Sequence, residues 1–595
     1  MVKRTAPKAK TGRQPEPHSD LIDEARRDRY FEIIVVLVLL AFGTYHSISY
    51  FGHKLVPTSD FPAFAKTGRE ILSLQMPSSF KRTPMLGLLQ VSLSYFIGGQ
   101  TPELTAGRVL NAILHPLIAV LLWLLGRKII GRSAIWLAVI VIINPWIINS
   151  MTDPIAETTL LFFVLLTVYF IFRRSRWSYL FASITSMVRY EGAALILAAF
   201  VVDVVTNKQR KERIYALLLS ALASVPLGLW MLGTAWHWKS QGMGHYLNVF
   251  TDDYMKLFSE PTEQRVGLGK NLKLLWQIAF YPLLTASPKA AAGTVNTLTL
   301  ASKILALITF AVGSVYGLIK QRWNILVLFI FLVPYVIVHS MYPYPIIRYY
   351  TTVHWIVVLL SILGLQGIWR LIQTRLTIPP AIVTVLQMIF LVVLIIWITR
   401  LIPFLSKIAP ASPGSSAFCW VAVIVVCVLS GAYIFLYRQA RSIRSLVIWV
   451  LLCLIIVSNQ FVLVRILGDG QTYSEFVQLT KWYINNAGPD VKIALYFTEV
   501  PRILAPKYEA SFVGLPTTDS PEQFVQECQK RNITYVVWAS REMTNPGSEN
   551  YKLYRLDNIA MLQKPQNIGP YRFVTQIGSR RGWVNVFRLS RPGGE

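Results

Sequence analysis

The stretch FEIIVVLVLLAFGTYHSISYFGHKLVPTSDFPAFAKTGREI spans residues 31–71. Its first twenty residues form an apolar run as long as a bilayer's hydrocarbon core is thick, which makes 31–50 a membrane crossing. The chain then turns polar, sets a carboxylate at Asp60, and continues into a segment that is apolar on one face only. Such a segment suits a helix lying along the interface with its apolar side towards the lipid. PMLGLLQVSLSYFIGG at 84–99 fits the same description. As an ordinary crossing, it would send the next basic loop to the opposite face of the membrane, against the charge pattern of the rest of the chain.

The pattern of 31–50 recurs. Apolar runs predict spans at 31–50, 104–126, 134–150, 155–172, 177–188, 190–206, 214–233, 298–319, 324–342, 351–369, 379–399, 416–436 and 445–464. That is about thirteen crossings, two of them shorter than the usual length of about 20 residues. Over 595 residues, 54% are hydrophobic and 15% are charged, with a mean hydropathy of +0.47. Soluble chains are about a quarter charged, so the composition excludes one large soluble domain and predicts a polytopic α-helical membrane protein. The net charge of +28 does not point to nucleic acid, because the Lys and Arg residues sit in short clusters between apolar runs. Cys419, Cys427 and Cys453 lie within such runs and Cys528 beyond them, with no disulfide framework and no CxxC metal pattern.

With the N-terminus in the cytoplasm, the clusters RRDR (26–29), GRKIIGR (126–132), RRSR (173–176), KQRKER (208–213), KQR (320–322), RLIQTR (370–375) and RQARSIR (438–444) gather on the cytoplasmic side. No small-residue cleavage site follows the first apolar run, which therefore reads as a retained anchor. The expected organisation is a basic cytoplasmic tail (1–30), a transmembrane domain (31–465) in the cell membrane, and an exoplasmic domain (466–595). The loops 51–103, 151–156, 189–191, 234–297 and 342–350 then share the exoplasmic face with that domain. VKIALYF, ASFVGLP and ITYVVWAS read as strands, SPEQFVQECQKRN as a capped helix, and YRFVTQIGSRRGWVNVFRLS as a hairpin. These predict a small α/β domain without a Gly-rich phosphate loop, a His/Cys metal cluster or a nucleophile elbow.

Ionisable groups at span ends are costly to hold near lipid, which makes them candidates for function. Asp60 ends the first crossing. Lys81 and Arg82 lie in KRTP between the two interfacial stretches. Asp153 and Glu157 open the fourth span in MTDPIAET, Arg189 and Glu191 form the tip of a tight hairpin in VRYEG, and Tyr344 and Arg348 belong to YPYPIIRYY. Each also has a purely structural role open to it. Asp60 would cap the helix starting at Phe61, and Asp153 would cap one with Pro154 at its first position. Glu157 would then complement the helix dipole. Arg189 and Glu191 would form a simple ion pair, Lys81 and Arg82 would meet lipid headgroups, and Tyr342, Tyr344, Tyr349 and Tyr350 would be belt aromatics. In this topology all these groups share one membrane face. Together they supply carboxylates to take a proton and guanidiniums to hold a phosphate bidentately. Glycosyl transfer from a lipid phosphate needs both.

In order and spacing, TSDFPAFAKTGREI, KRTPMLGLL, TAGRVLNAILHPLIAVLLWLLGRKIIGRSA, NPWIINSMTDPIAETTLLFFVLL, SMVRYEGAALIL and IIRYYTTVHWIVVLLSILGL resemble the membrane glycosyltransferases of the C-type fold. The resemblance is to the dolichyl-phosphate-mannose protein mannosyltransferases and the bacterial aminoarabinose transferase of lipid A, over roughly residues 30–370. It implies a polyprenyl-phosphate sugar donor, inversion at the sugar carbon, and an acceptor that is a lipid, glycan or protein. It also implies Asp60 as the catalytic base, Asp153 with Glu157 as the acidic pair of the second loop, Lys81 or Arg82 as the basic residue of the interfacial segment, and Arg348 as the late arginine. Here Asp60 is followed by Phe61 instead of an acid. There is no MIR-type insert and no WWDYG segment, which speaks against a eukaryotic protein O-mannosyltransferase and against an oligosaccharyltransferase. A divalent metal stays open: TDDY at 251–254 offers two carboxylates without a histidine at ligand spacing. A transporter or lipid flippase is the competing class and would place broken helices and ionisable groups near mid-bilayer. A non-enzymatic scaffold leaves the one-sided acids and arginines unexplained.

Overall fold

The computed structural model describes residues 17–58, 60–78, 80, 82–241, 269, 273, 275, 294–340, 347–375, 473–540, 551–552, 555–579 and 582–590. Lys81, Tyr344, the TDDY stretch, the expected spans at 379–399, 416–436 and 445–464, and Cys419, Cys427 and Cys453 lie outside these residues.

The N-terminal part is helical throughout: α1 (Pro17–Ser49), α2 (Phe61–Leu72), α3 (Met85–Ser94), α4 (Pro102–Ile130), α5 (Ala134–Ile142), α6 (Pro145–Met151), α7 (Ala156–Phe172), α8 (Trp177–Val188), α9 (Ala193–Thr206) and α10 (Arg210–Gln241). Further along the chain come α11 (Thr294–Lys320), α12 (Arg322–Ser340) and α13 (Thr351–Arg375). The sequence of α5, AIWLAVIVI, is rich in β-branched residues and in water would suit a strand. In lipid the backbone must satisfy its own hydrogen bonds, so it is a helix.

Five helical stretches among the described residues are long and apolar enough to cross a membrane: Asp28–Ser49, Pro102–Ile142, Arg210–Gly233, Arg322–Ser340 and Arg348–Leu371. α6 and α7 add a sixth if counted as one span, bent by 111° at their break. The thirteen expected crossings are not matched one for one. The run at 134–150 is split between α5 and α6, and those at 177–188 and 190–206 are helices of 12 and 14 residues. The first helix also starts earlier than the apolar run, at Pro17.

Among the described residues, helices touch backbone to backbone at several glycines. A Cβ on Gly87 would strike the Phe64 carbonyl, which joins α3 to α2, and α11 meets α13 at Gly313 and Gly364. Small residues at such crossings let helices approach where lipid supplies no hydrophobic drive between them. A side chain at Gly364 would collide with the Thr309 carbonyl. Gly364→Val should therefore cost about 1–3 kcal/mol and lower the thermal midpoint in detergent. Leu365→Ala, at an exposed neighbour, should leave the midpoint within the small range of surface changes.

Residues from Ser474 onward build a five-stranded sheet in the order β2-β1-β3-β5-β4. β1 (Lys492–Leu495) pairs in parallel with β2 (Phe512–Gly514) and β3 (Ile533–Ala539), while β5 (Gly582–Leu589) pairs antiparallel with β3 and β4 (Tyr571–Ser579). Side chains alternate between faces with the period of two that strands impose. Val537, Ala539, Val584 and Val586 pack with Phe476, Leu479 and Tyr483 of α14 (Ser474–Asn486). Val536, Trp538 and Phe587 pack with Phe524 and Cys528 of α16 (Pro521–Lys530). Ser520 caps α16, its side chain accepting from the Gln523 backbone N–H. Between these helices, α15 (Glu499–Leu504) carries Ile503 and Leu504 against Phe61 and Ala65 of α2 and Leu104 of α4, so α15 rests on the helix that follows Asp60.

Candidate active site

The first loop is held in place from α4 and from the break between α6 and α7. Arg108 donates through Nη2 to the carbonyls of Lys54 (2.6 Å) and Leu55 (3.1 Å). The buried Asp153 carboxylate accepts from Lys54 Nζ at 3.1 Å, from the Thr58 backbone N–H at 3.1 Å and from the Thr58 hydroxyl. The Asn111 side-chain amide donates to the Asp153 carbonyl at 2.7 Å. Asp153 therefore does not cap the fourth span as its sequence context suggests. The Ile155 N–H closes onto the Asp153 carbonyl at 2.8 Å, and α7 starts at Ala156 with Ile155 at its N-cap. That turn swings the Asp153 side chain away from the helix and onto the loop.

Two residues beyond the loop's last anchor, Asp60 stands at the N-cap of α2, yet its side chain makes no cap hydrogen bond. It is aimed elsewhere. Oδ1 accepts from Arg82 and Oδ2 from Arg348, 288 residues away in sequence. Arg82 is set by its neighbours: Thr83 Oγ1 donates to the Val188 carbonyl at 2.6 Å, and Tyr190 OH donates to that of Phe80 at 3.2 Å. Arg348 is presented by the 3₁₀ turn Ile347–Tyr350 at the start of α13. Its Nε stands 3.0 Å from Glu157 Oε1, which Arg189 Nη1 also approaches at 3.3 Å. Arg189 makes a fork onto Glu191, 3.1 and 3.3 Å, and lies over the Tyr349 ring at 4.4 Å. His339 Nε2 completes the chain 3.0 Å from Glu191 Oε1.

Several of these groups line one small cleft. Asp60, Arg82, Glu157, Arg189, Glu191 and Arg348 are all on its wall; Asp153 is not. The Arg189–Glu191 pair is one link of a network, not an isolated hairpin contact. Tyr349 and Tyr350 are buried, not a belt at the lipid surface. The reason is the 3₁₀ turn, which rotates them inward, where Tyr335 OH donates to the Tyr349 carbonyl at 2.8 Å and Tyr350 OH to that of His339 at 3.2 Å. His339 and Lys54 had no motif to mark them, and Thr58 and Arg108, though inside TSDFPAFAKTGREI and TAGRVLNAILHPLIAVLLWLLGRKIIGRSA, were not singled out. Among the described residues no group of three or more His, Cys, Asp or Glu side chains could hold a metal ion.

Burial alone would raise the Asp60 carboxyl, but the Arg82 and Arg348 guanidiniums override it and hold it below the usual carboxylate value. Burial also opposes charge on Glu191, where Arg189 and then His339 prevail and keep it well below the usual range. A carboxyl whose pKa is depressed on folding stabilises above its unfolded value, about 3.9 for Asp and 4.3 for Glu. That stability is lost as pH falls through the folded pKa. The thermal midpoint in detergent should therefore be flat above pH 5 and fall steeply in the acid range below about 4. Glu191→Gln leaves Arg189 buried with half its partners, a change that costs about 3–5 kcal/mol at neutral pH. The same substitution should flatten the acid limb of the profile, and a limb of unchanged depth would show that Glu191 is not charged in the folded protein.

No protein-family model matches the chain, and no curated protein sequence does. Among solved structures, the chain is similar to ArnT from Cupriavidus metallidurans bound to undecaprenyl phosphate, with 10% identity and a TM-score of 0.50 over 93% of this chain and 98% of that one. It is also similar to the oligosaccharyltransferase of Archaeoglobus fulgidus tethered to an acceptor peptide, with 13% identity and a TM-score of 0.45 over 93% of this chain and 74% of that one. The likeness to ArnT identifies the fold: a polytopic helical membrane protein of the C-type glycosyltransferase architecture.

Proposed function

We propose that the protein is an inverting glycosyltransferase that takes a sugar from a polyprenyl-phosphate donor to an acceptor hydroxyl or amine at the exoplasmic face of the cell membrane. The observation that carries this is the cleft in which Asp60 stands between Arg82 and Arg348, backed by Glu157, Arg189 and Glu191. Arg82 and Arg348 hold the donor phosphate, and planar guanidinium forks suit its oxygens. As the sugar–oxygen bond breaks, charge grows on that phosphate and the same groups neutralise it. Asp60 removes the acceptor proton. Glu157, Arg189 and Glu191 hold Arg348 in position, and Asp153 acts at one remove by fixing the loop that carries Asp60. In sequence, Lys81 adjoins Arg82 and Tyr344 precedes Arg348 by four positions, and on that ground both are proposed to contribute to donor binding. The fold shared with ArnT, whose structure contains undecaprenyl phosphate, supports a polyprenyl phosphate as the donor lipid.

The 111° break between α6 and α7 is the one feature that favours a transporter, since such folds use discontinuous helices. Here the break presents Asp153 to Lys54 and Thr58 of the first loop. Comparing the glycans and glycolipids of cells with and without the protein tests the enzyme: one sugar should be missing from one acceptor class. An unchanged profile alongside altered lipid distribution between leaflets would favour transport.

Sidedness has its own test. With the four natural cysteines replaced, a cysteine at the exposed Gln75 should react with an impermeant reagent added outside the cell, and one at the exposed Lys208 should not. Labelling at Lys208 from outside would overturn the orientation drawn from the basic clusters.

A further inference from the structure

The two roles proposed for the cleft fall on side chains that are bonded to one another. The base and the phosphate-holding groups are bonded to each other: both Asp60 oxygens are taken, one by Arg82 and one by Arg348. We infer that donor binding itself arms the base, the lipid phosphate drawing Arg82 and Arg348 onto its own oxygens and freeing the Asp60 carboxylate. This rests on the glycosyl-transfer function proposed above and concerns how that same site is regulated.

Arg348 has somewhere to stay when it lets go of Asp60. Its Nε already stands 3.0 Å from Glu157 Oε1, and Glu157 Oε2 is buried without a hydrogen-bond partner among the described residues. A small rotation of Arg348 therefore exchanges one carboxylate for another while two of its nitrogens turn to the phosphate. Arg82 is steadied by the Phe64 ring, 5.7 Å from its guanidinium carbon.

Charge balance points the same way. The cleft wall carries three carboxylates, Asp60, Glu157 and Glu191, and three guanidiniums, Arg82, Arg189 and Arg348. A phosphodiester adds one negative charge and leaves the cleft with an excess that a proton would cancel. Asp60 is the carboxylate that has just lost its partners, so it is the one placed to take the acceptor's proton during transfer, and it stays ionised until then. In the reaction the acceptor oxygen bonds to the sugar carbon, the bond from that carbon to the phosphate oxygen breaks with its electron pair going to phosphate, and the acceptor proton moves to Asp60. The lipid leaves as a phosphate monoester, and Asp60 returns its proton to solvent as Arg82 and Arg348 close on it again. An enzyme built this way keeps its base masked until a donor is in place, which protects against idle proton exchange and gives an order of binding, donor first.

The test uses the full-length protein in detergent and the methyl diester of farnesyl phosphate, which has no titration near neutral pH. By calorimetry, Asp60→Asn should bind the diester about tenfold more tightly than the wild type, the scale of one charge-assisted hydrogen bond no longer competed for. Arg82→Ala should bind it more weakly in either background. Asp60→Ser repeats the comparison should the Asn protein fail to fold. Equal or weaker binding by the carboxylate-free protein overturns the inference while leaving the function untouched. If the wild type binds no diester at all, it is the lipid-phosphate function that fails.

Discussion

Asp60→Asn lowers sugar transfer by about 10²–10⁴, the usual worth of a general base, while leaving expression in place and donor binding no weaker than in the wild type. The substitution keeps the size of the side chain and removes its ability to accept a proton. A capping role would give a different result, because Asn caps a helix as well as Asp does. The geometry speaks against the cap, since the Asp60 side chain makes no cap hydrogen bond and is directed to Arg82 and Arg348. Measured turnover of the purified Asn variant near the wild-type value would remove Asp60 from the chemistry. The loss should appear in kcat and not as a raised KM for donor, because the proton moves only in the transition state.

Arg348→Ala is the second large effect. One guanidinium there serves Asp60 and Glu157 together, so its removal strips a phosphate ligand and leaves two carboxylates facing the donor's negative charge. A lost charge-assisted hydrogen bond is worth about 1.5–3 kcal/mol, and a loss of roughly ten- to a hundredfold in kcat/KM follows. Arg348→Lys should recover only part of this, as an ammonium cannot reproduce the fork that spans two acceptors. Arg82→Ala should show a smaller loss, since Arg82 pairs with Asp60 alone among these carboxylates. Normal donor kinetics in a folded Arg348→Ala protein would make this arginine a structural tie between α13 and the first loop.

Much of the site could be read from the sequence because lipid makes ionisable residues conspicuous. Asp60, Arg82, Glu157, Arg189, Glu191 and Arg348 stand out at the ends of apolar runs, and the positive-inside rule gathers their loops on one face although up to 288 residues separate them. What sequence could not distinguish was Asp153 from Glu157. They are four apart and both precede an apolar run, yet a local turn at Ile155 sends one to the loop and the other to the cleft. The tyrosines after Pro345 misled for a related reason. Aromatics at a span end usually mark the interface, but the 3₁₀ turn at 347–350 faces Tyr349 and Tyr350 inward.

His339 was invisible to any spacing argument, because its partner Glu191 belongs to a hairpin 148 positions earlier and only the packing of α12 on α9 joins them. The spans were legible where they are long and single. They were less so around 134–206, where the chain uses short helices that no threshold of about 20 residues describes.

The most direct measurement mixes purified protein with native membranes that supply both lipid-linked sugar and acceptor, and follows the lipids by mass spectrometry. Wild-type protein should convert one polyprenyl-phosphate sugar to the free polyprenyl phosphate while the same sugar appears on an acceptor, and Asp60→Asn should do neither. Conversion at equal rates by both proteins, or none by the wild type, would contradict the assignment of this cleft to glycosyl transfer.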